Sequence, residues 1–154
     1  MNSAILGRGS LRLAQSTGYA FRVVAALASA PNRSMAIAQV AEEERLPKSF
    51  LAKIVRGLVK AGIVIARSGA AGGIRLARDP EQISLLEVVE ACEGGYARQQ
   101  CVYYADRSCP GTDCPVWCDI RRIEEELMAQ LRGVSVSRLA EDLRDHPHRA
   151  GAFA

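Results

Sequence analysis

Between residues 47 and 77 the hydrophobic pattern switches from a helical period to a strand-like one, and no other feature restricts the fold as tightly. Leu51, Ile54, Val55 and Leu58 fall at i, i+3, i+4 and i+7, the spacing of one helix face. Pro47 suits the first helical position, and Gly62 suits the position just past the end. Ile63-Val64-Ile65-Ala66-Arg67 is then β-rich, Gly69-Ala70-Ala71-Gly72-Gly73 is a glycine-rich connection, and Ile74-Arg75-Leu76-Ala77 is a second short strand. A β-hairpin therefore follows the helix directly. Two helices are expected ahead of it. One lies within Leu11–Ala30, with Phe21, Val24, Leu27 and Ala28 at helical spacing. The other is Met35–Glu44, capped by Ser34, with Ile37, Val40 and Ala41 inside. The short break at Arg45-Leu46 completes a helix-turn-helix with a hairpin wing, in which the second helix of the pair enters the major groove of DNA.

Charge agrees with that reading. Residues 1–80 hold twelve Lys and Arg against four acids, whereas residues 81–154 hold eight against thirteen. A basic half attracts a polyanion such as DNA because neutralising phosphates releases counterions. On the third helix Ser49, Ala52, Lys53, Arg56 and Lys60 form a small, polar and cationic stripe opposite the apolar one. Lys48, Lys53, Arg56, Arg67 and Arg75 are expected to set affinity and its salt dependence. Ser49, with Phe50 and Ala52 offering apolar contact to thymine methyls, carries sequence preference, and Ser68 stands at the wing beside Arg67. Gly69, Gly72 and Gly73 would let the wing backbone approach a phosphate or the minor-groove edge. A nucleotide-binding loop does not fit, since no Gly-Lys-Ser/Thr follows the glycines.

The second half reads differently. Ser84-Leu85-Leu86-Glu87 is a capping box opening a fourth helix through Val88, Val89 and Cys92, stopped at Gly94-Gly95. A loop of about twenty residues follows, a length that in a compact domain is usually functional or tied down. Pro115 opens a long helix to about Leu131, with Val116, Ile120, Ile123, Leu127 and Leu131 in one stripe. Such a helix in so short a chain needs a partner surface, and homodimerisation through it is the simplest. Ser135–Leu143 forms a last helix. The expected organisation is a winged helix-turn-helix DNA-binding domain over 11–80, a helix, cysteine loop and dimerisation helix over 81–143, and a flexible tail over 144–154. The fold class is mainly α with a small β-hairpin wing.

All five cysteines fall between residues 92 and 118. Cys101, Cys109, Cys114 and Cys118 are separated by seven, four and three residues, a cluster that could order the loop around a soft metal centre. Zinc, an iron-sulfur cluster and a thiol switch all remain open on spacing alone. Cys92 reads as a packed small hydrophobe. An enzyme is not expected: the only histidines, His146 and His148, lie in the tail, and no carboxylate pair forms a recognisable site. No apolar run reaches membrane-spanning length and the N-terminal residues lack a long apolar core, so a cytoplasmic protein without membrane contact is expected.

From Leu11 to Leu143 the chain resembles the Rrf-type winged-helix transcription regulators, the family of IscR, NsrR and RirA. The resemblance rests on Tyr19-Ala20-Phe21-Arg22, on Ile37-Ala38-Gln39-Val40-Ala41, and on Leu58-Val59-Lys60-Ala61-Gly62-Ile63-Val64 leading into Ser68-Gly69-Ala70-Ala71-Gly72-Gly73-Ile74-Arg75-Leu76, with three cysteines before a long helix. It implies a homodimer on partly palindromic promoter DNA and an iron-sulfur cluster, [2Fe-2S] or [4Fe-4S], sensing iron, redox state or nitric oxide. It makes Cys101, Cys109 and Cys114 the cluster thiolates. Where some relatives have a histidine ligand this chain has Trp117, and where others have a helix-one ligand it has Gly18. Residues 1–41 contain no Asp, Glu, His or Cys. Cys118 is the fourth ligand by hypothesis, with Cys92, Asp119 or a non-protein ligand as alternatives. Ala52 stands where the best-known relative has a glutamate, which implies a different or looser operator. The competing reading is a cluster-free or zinc-bearing winged-helix regulator that uses its cysteines as a thiol switch or structural site.

Overall fold

The computed structural model describes residues 13–30, 34–69, 72–94 and 115–145. Helix α1 runs Gln15–Ala28 and buries Ala20, Val23, Val24 and Leu27, a stripe at helical spacing. Helix α2, Ile37–Glu43, buries Val40 and Ala41. It is two residues shorter at its start than the sequence suggested, and Ser34 does not cap it; the N-cap is Ala36. The reason lies in tertiary pairing: Met35 exchanges backbone hydrogen bonds with Ile74, its N–H donating at 2.9 Å and its carbonyl accepting at 2.8 Å. Residues 34–36 thus remain extended beside the hairpin.

Helix α3, Lys48–Lys60, follows a turn in which Arg45 takes a positive φ of 53°. Leu51, Ile54, Val55 and Leu58 are all buried, as their spacing requires. Strand β1, Val64–Arg67, pairs antiparallel with β2, Gly73–Leu76, in the register Val64–Leu76, Ile65–Arg75, Ala66–Ile74 and Arg67–Gly73. Opposed residues share a face, so Val64 and Ile74 turn inward while Ile65, Arg67 and Arg75 lie on the other side.

A short 3-10 turn at Pro80–Gln82, absent from the sequence reading, leads to helix α4, Leu85–Glu93. The capping box is present in full: the Ser84 hydroxyl accepts from the Glu87 N–H, and the Glu87 carboxylate accepts from the Ser84 N–H at 2.9 Å. Burial pushes the Glu87 carboxyl up, but the Ser84 N–H, the Arg78 guanidinium and the Ser84 hydroxyl together hold it below the usual carboxylate range. Helix α5, Pro115–Gly133, packs on α4. Helix α6, Val136–Asp145, returns onto α1 and continues two residues past the expected end at Leu143. The starts of α4 and α6 are tied by backbone bonds from Leu85 N–H to Val134 O (2.9 Å) and from Val136 N–H to Ile83 O (2.8 Å). Leu85, Val88 and Val136 consequently join one hydrophobic cluster with the buried residues of α1 to α3 and the hairpin.

The described members of the α5 stripe are not fully covered within the chain. Ile123 is 49% exposed, whereas its neighbour Glu124 is 8% exposed and turned inward. Leu127 and Leu131 are half-buried. Adjacent helix positions lie 100° apart, so turning position 124 inward leaves 123 outside. Among the described residues no donor reaches Glu124 Oε1. None of their helices is long and apolar enough to cross a membrane.

Candidate nucleic-acid interface

Because α3 spends its apolar positions on the core, the remaining side chains have one place to go. Lys48, Ser49, Lys53, Arg56 and Lys60 are exposed and Ala52 is half-buried, so the cationic stripe read from the sequence is a continuous outward face. Thirteen residues rise about 20 Å, and the first turns of such a helix fit a major groove about 12 Å wide.

Phe50 has a different setting from its neighbours. Its ring is half-buried and meets Tyr19 of α1 edge-on, with centroids 5.4 Å apart. Arg22 lies over the Tyr19 ring at 5.9 Å, and Gln15 donates to the Tyr19 hydroxyl at 2.9 Å. Arg22 also donates from Nε to a Glu44 carboxylate oxygen at 2.7 Å, and from its terminal nitrogen to the Glu44 carbonyl. Phe50 therefore fastens α3 to α1, and Arg22 fastens α1 to the turn before α3. Sequence reasoning did not find Tyr19, Arg22 and Glu44 in these roles. The available signal was Arg22 as the sole charge within α1, with the acidic run Glu42-Glu43-Glu44 ahead of a basic helix.

In the wing, Arg67 and Ser68 are exposed and Arg75 is half-buried. Arg67 and Arg75 share the face of the hairpin opposite the core, but Arg75 also lines an open cleft of about 680 Å³ with Leu27, Arg78, Pro80 and Ser137. The two arginines that flank the tip in sequence are thus not equivalent.

The glycines of the wing serve the fold before any ligand. A Cβ on Gly72 would stand 2.4 Å from the Arg67 carbonyl oxygen, and one on Gly73 would stand 2.6 Å from the Met35 carbonyl oxygen. Backbone approaches backbone at both positions, so the fold itself requires glycine there. Gly69, with φ of 109° and open space around it, keeps the conformational role expected of a turn glycine.

Of the cysteines, Cys101, Cys109 and Cys114 lie outside the described residues. Cys118 is exposed on the first turn of α5. Cys92 is half-buried against the core, where burial and the adjacent Glu93 charge push its thiol up to about 11. Among the described residues no three His, Cys, Asp or Glu side chains form a metal-binding group.

A helix-turn-helix with a cationic outer face, carried straight into a hairpin wing, defines a winged-helix transcription regulator. The Rrf2 profile, described as an iron-dependent transcriptional regulator, matches residues 13–142, and the chain belongs to that family. The HTH-type transcriptional regulator NsrR of Bacillus subtilis (strain 168) is 36% identical over 92 residues, 59% of this chain and 63% of that protein. Among solved structures, CymR (YrzC), the global cysteine regulator of B. subtilis, superposes with a TM-score of 0.72 at 20% identity, covering 86% of this chain and 98% of that one. IscR of T. potens superposes with a TM-score of 0.66 at 21% identity, covering 92% and 95%. At such identities these structures establish the fold alone. The family is one of DNA-binding transcription regulators and not of enzymes.

Proposed function

We propose that this protein is a cytoplasmic homodimer that binds promoter DNA under the control of an iron-sulfur cluster. The observation that carries the DNA reading is the outward face of α3, where Lys48, Ser49, Lys53 and Arg56 stand exposed while every large apolar residue of the helix from Leu51 to Leu58 is buried. Arg67, Ser68 and Arg75 add contacts from the wing. Lys48, Lys53, Arg56 and Arg67 neutralise phosphates, and Ser49 with Ala52 reads base edges, with Phe50 holding the helix at its angle. The apolar side of α5, with Ile123 exposed and Leu127 half-buried, meets its equivalent in a second copy, giving the two recognition helices a two-fold relation and a spacing near one helical turn of DNA.

The donor set suits the cluster. Cys101, Cys109 and Cys114 supply three thiolates just ahead of α5, and Cys118 is exposed on its first turn, four positions beyond Cys114. The alternatives for the fourth ligand are Cys92, half-buried against the core, Asp119, which accepts from Arg122 at 3.2 Å, and a non-protein ligand. When bound, the cluster supplies a centre that is lost or altered when iron supply, oxidant or nitric oxide changes. The chain's part is to bind it through those thiolates and to carry the ordering of the cysteine segment to α3, a shift between two populations with different DNA affinity.

The test is anaerobic purification, counting iron, sulfide and zinc, with a DNA titration of loaded and stripped protein on the same sample. Iron and sulfide in equal amount, with visible absorbance that air or nitric oxide bleaches and a change in affinity on stripping, is expected. Colourless protein carrying zinc or no metal would replace this reading with the thiol or zinc regulator. Loss of the cluster in Cys101→Ala with full retention in Cys118→Ala would remove Cys118 as the fourth ligand.

A further inference from the structure

The last turn of α4 precedes the cysteine-bearing segment, and it touches both helices that set the interface. The N-cap of helix α1 is Ala14, which has no side-chain oxygen to cap it, and the helix has no acid in its first turn. Glu93 supplies an acceptor there from 79 residues beyond Ala14: its Oε1 accepts from the Thr17 hydroxyl at 2.7 Å and from the Ala14 N–H at 2.9 Å. Thr17 is completely buried, while the Glu93 carboxylate that it meets stands at the exposed rim of the contact. A carboxylate at the N-terminal end of a helix is also favoured by the helix dipole. Two residues earlier, the Ala91 carbonyl oxygen lies against Gly57 of α3, so close that a Cβ at 57 would be 3.0 Å from it. Helix α1 in turn grips α3 through Tyr19 and Phe50, and grips the preceding turn through Arg22 and Glu44. Gly94, at φ of 79°, then turns the chain out of α4.

We infer that Glu93 is a positioning residue that connects the cysteine segment beginning after it to the orientation of the recognition helix, by way of Thr17 and α1. The inference rests on the cluster control proposed above and names the side chain through which that control reaches α3. Any pull on the chain at residue 95 is applied one peptide beyond the turn that holds α1 by Glu93 and α3 by Ala91. Without the carboxylate the cysteine segment keeps its ligands but loses its grip on α1.

The experiment compares the full-length wild type with Glu93→Ala, which removes the acceptor, and Glu93→Gln, which keeps an oxygen in its place. Each is titrated, loaded and stripped, with a labelled duplex that the wild type selects from a random pool, and iron and sulfide are counted on every sample. Glu93→Ala is expected to load as the wild type does while the ratio of loaded to stripped affinity shrinks at least about fivefold, the lower range of allosteric coupling, and Glu93→Gln is expected to restore most of it. Hydrogen exchange on the stripped proteins gives a readout that needs no cluster: in Glu93→Ala, amides 15–18 lose protection and the loss extends to residues 48–53. An unchanged ratio at equal cluster content, or an exchange change confined to α1, overturns the inference. A wild type with equal affinity in both states overturns the cluster control itself and the reporting role with it, a result that the metal counts and the wild-type titration expose before any variant is compared.

Discussion

Gly57 of α3 rests on the carbonyl oxygen of Ala91 in α4, with only 3.0 Å available to a side-chain carbon. The carbonyl belongs to helix backbone and cannot swing aside as a side chain would. Replacing Gly57 by leucine forces the helices apart and is expected to cost about 1–3 kcal/mol, the range for overpacking, measured as a lower denaturation midpoint in urea. Gly57→Ala should cost less, because about 1 kcal/mol of helix propensity is regained at the same position. A Gly57→Leu protein as stable as wild type would show that α3 and α4 are not in firm contact.

Gly73→Ala tests the part the wing glycines play in the fold. Its Cβ would stand 2.6 Å from the Met35 carbonyl oxygen and break the extended pairing between Met35 and Ile74. The expected loss of stability is about 1–3 kcal/mol without DNA present. Were the glycine there only for phosphate approach, thermal melting of the unbound protein would not move and DNA affinity alone would fall.

Single alanine substitutions of Lys53 and Arg56 should each lower the slope of log K against log salt by about 1 and weaken binding by a similar factor on every sequence. Ser49→Ala is expected to change preference among sequences and leave the salt slope intact. Fluorescence anisotropy at several salt concentrations distinguishes these outcomes, and an unchanged slope in both basic variants would exclude their contact with phosphate.

Glu124 is buried with one oxygen lacking a donor among the described residues. An unsatisfied polar atom costs about 1–3 kcal/mol, so Glu124→Leu is expected to raise the melting temperature. A lower melting temperature would reveal a cation or a second copy that meets the carboxylate in solution.

The chemistry of Cys92 and Cys118 should diverge. With its thiol pushed up to about 11 from 9.0, Cys92 holds roughly 100-fold less thiolate near neutral pH than an ordinary cysteine, and it is half-buried besides. Mass spectrometry of alkylated, cluster-free protein at pH 8 should find Cys118 modified long before Cys92. Lowering pH probes Glu87 instead: its carboxyl is held below its unfolded value, so the stability it contributes is present above the unfolded pKa and is lost as pH falls through the folded one. Glu87→Gln should flatten that acid limb of the stability curve.

The apolar spacing of α3, the capping box at Ser84 and the hairpin after Gly62 were all legible in the sequence, because each depends on residues within one or two turns of one another. The outward placement of Ser49, Lys53 and Arg56 followed for the same reason: burying Leu51, Ile54, Val55 and Leu58 leaves a helix no other way to face. Packing across long chain separations decided the rest. Met35 was drawn out of α2 by Ile74, Glu124 was turned inward beside the apolar stripe of α5, and Glu93 became an acceptor for the Ala14 N–H that lies 79 residues earlier, at the start of α1. No local pattern encodes such pairings, since the acceptor or neighbour that makes them favourable exists only after the chain has closed.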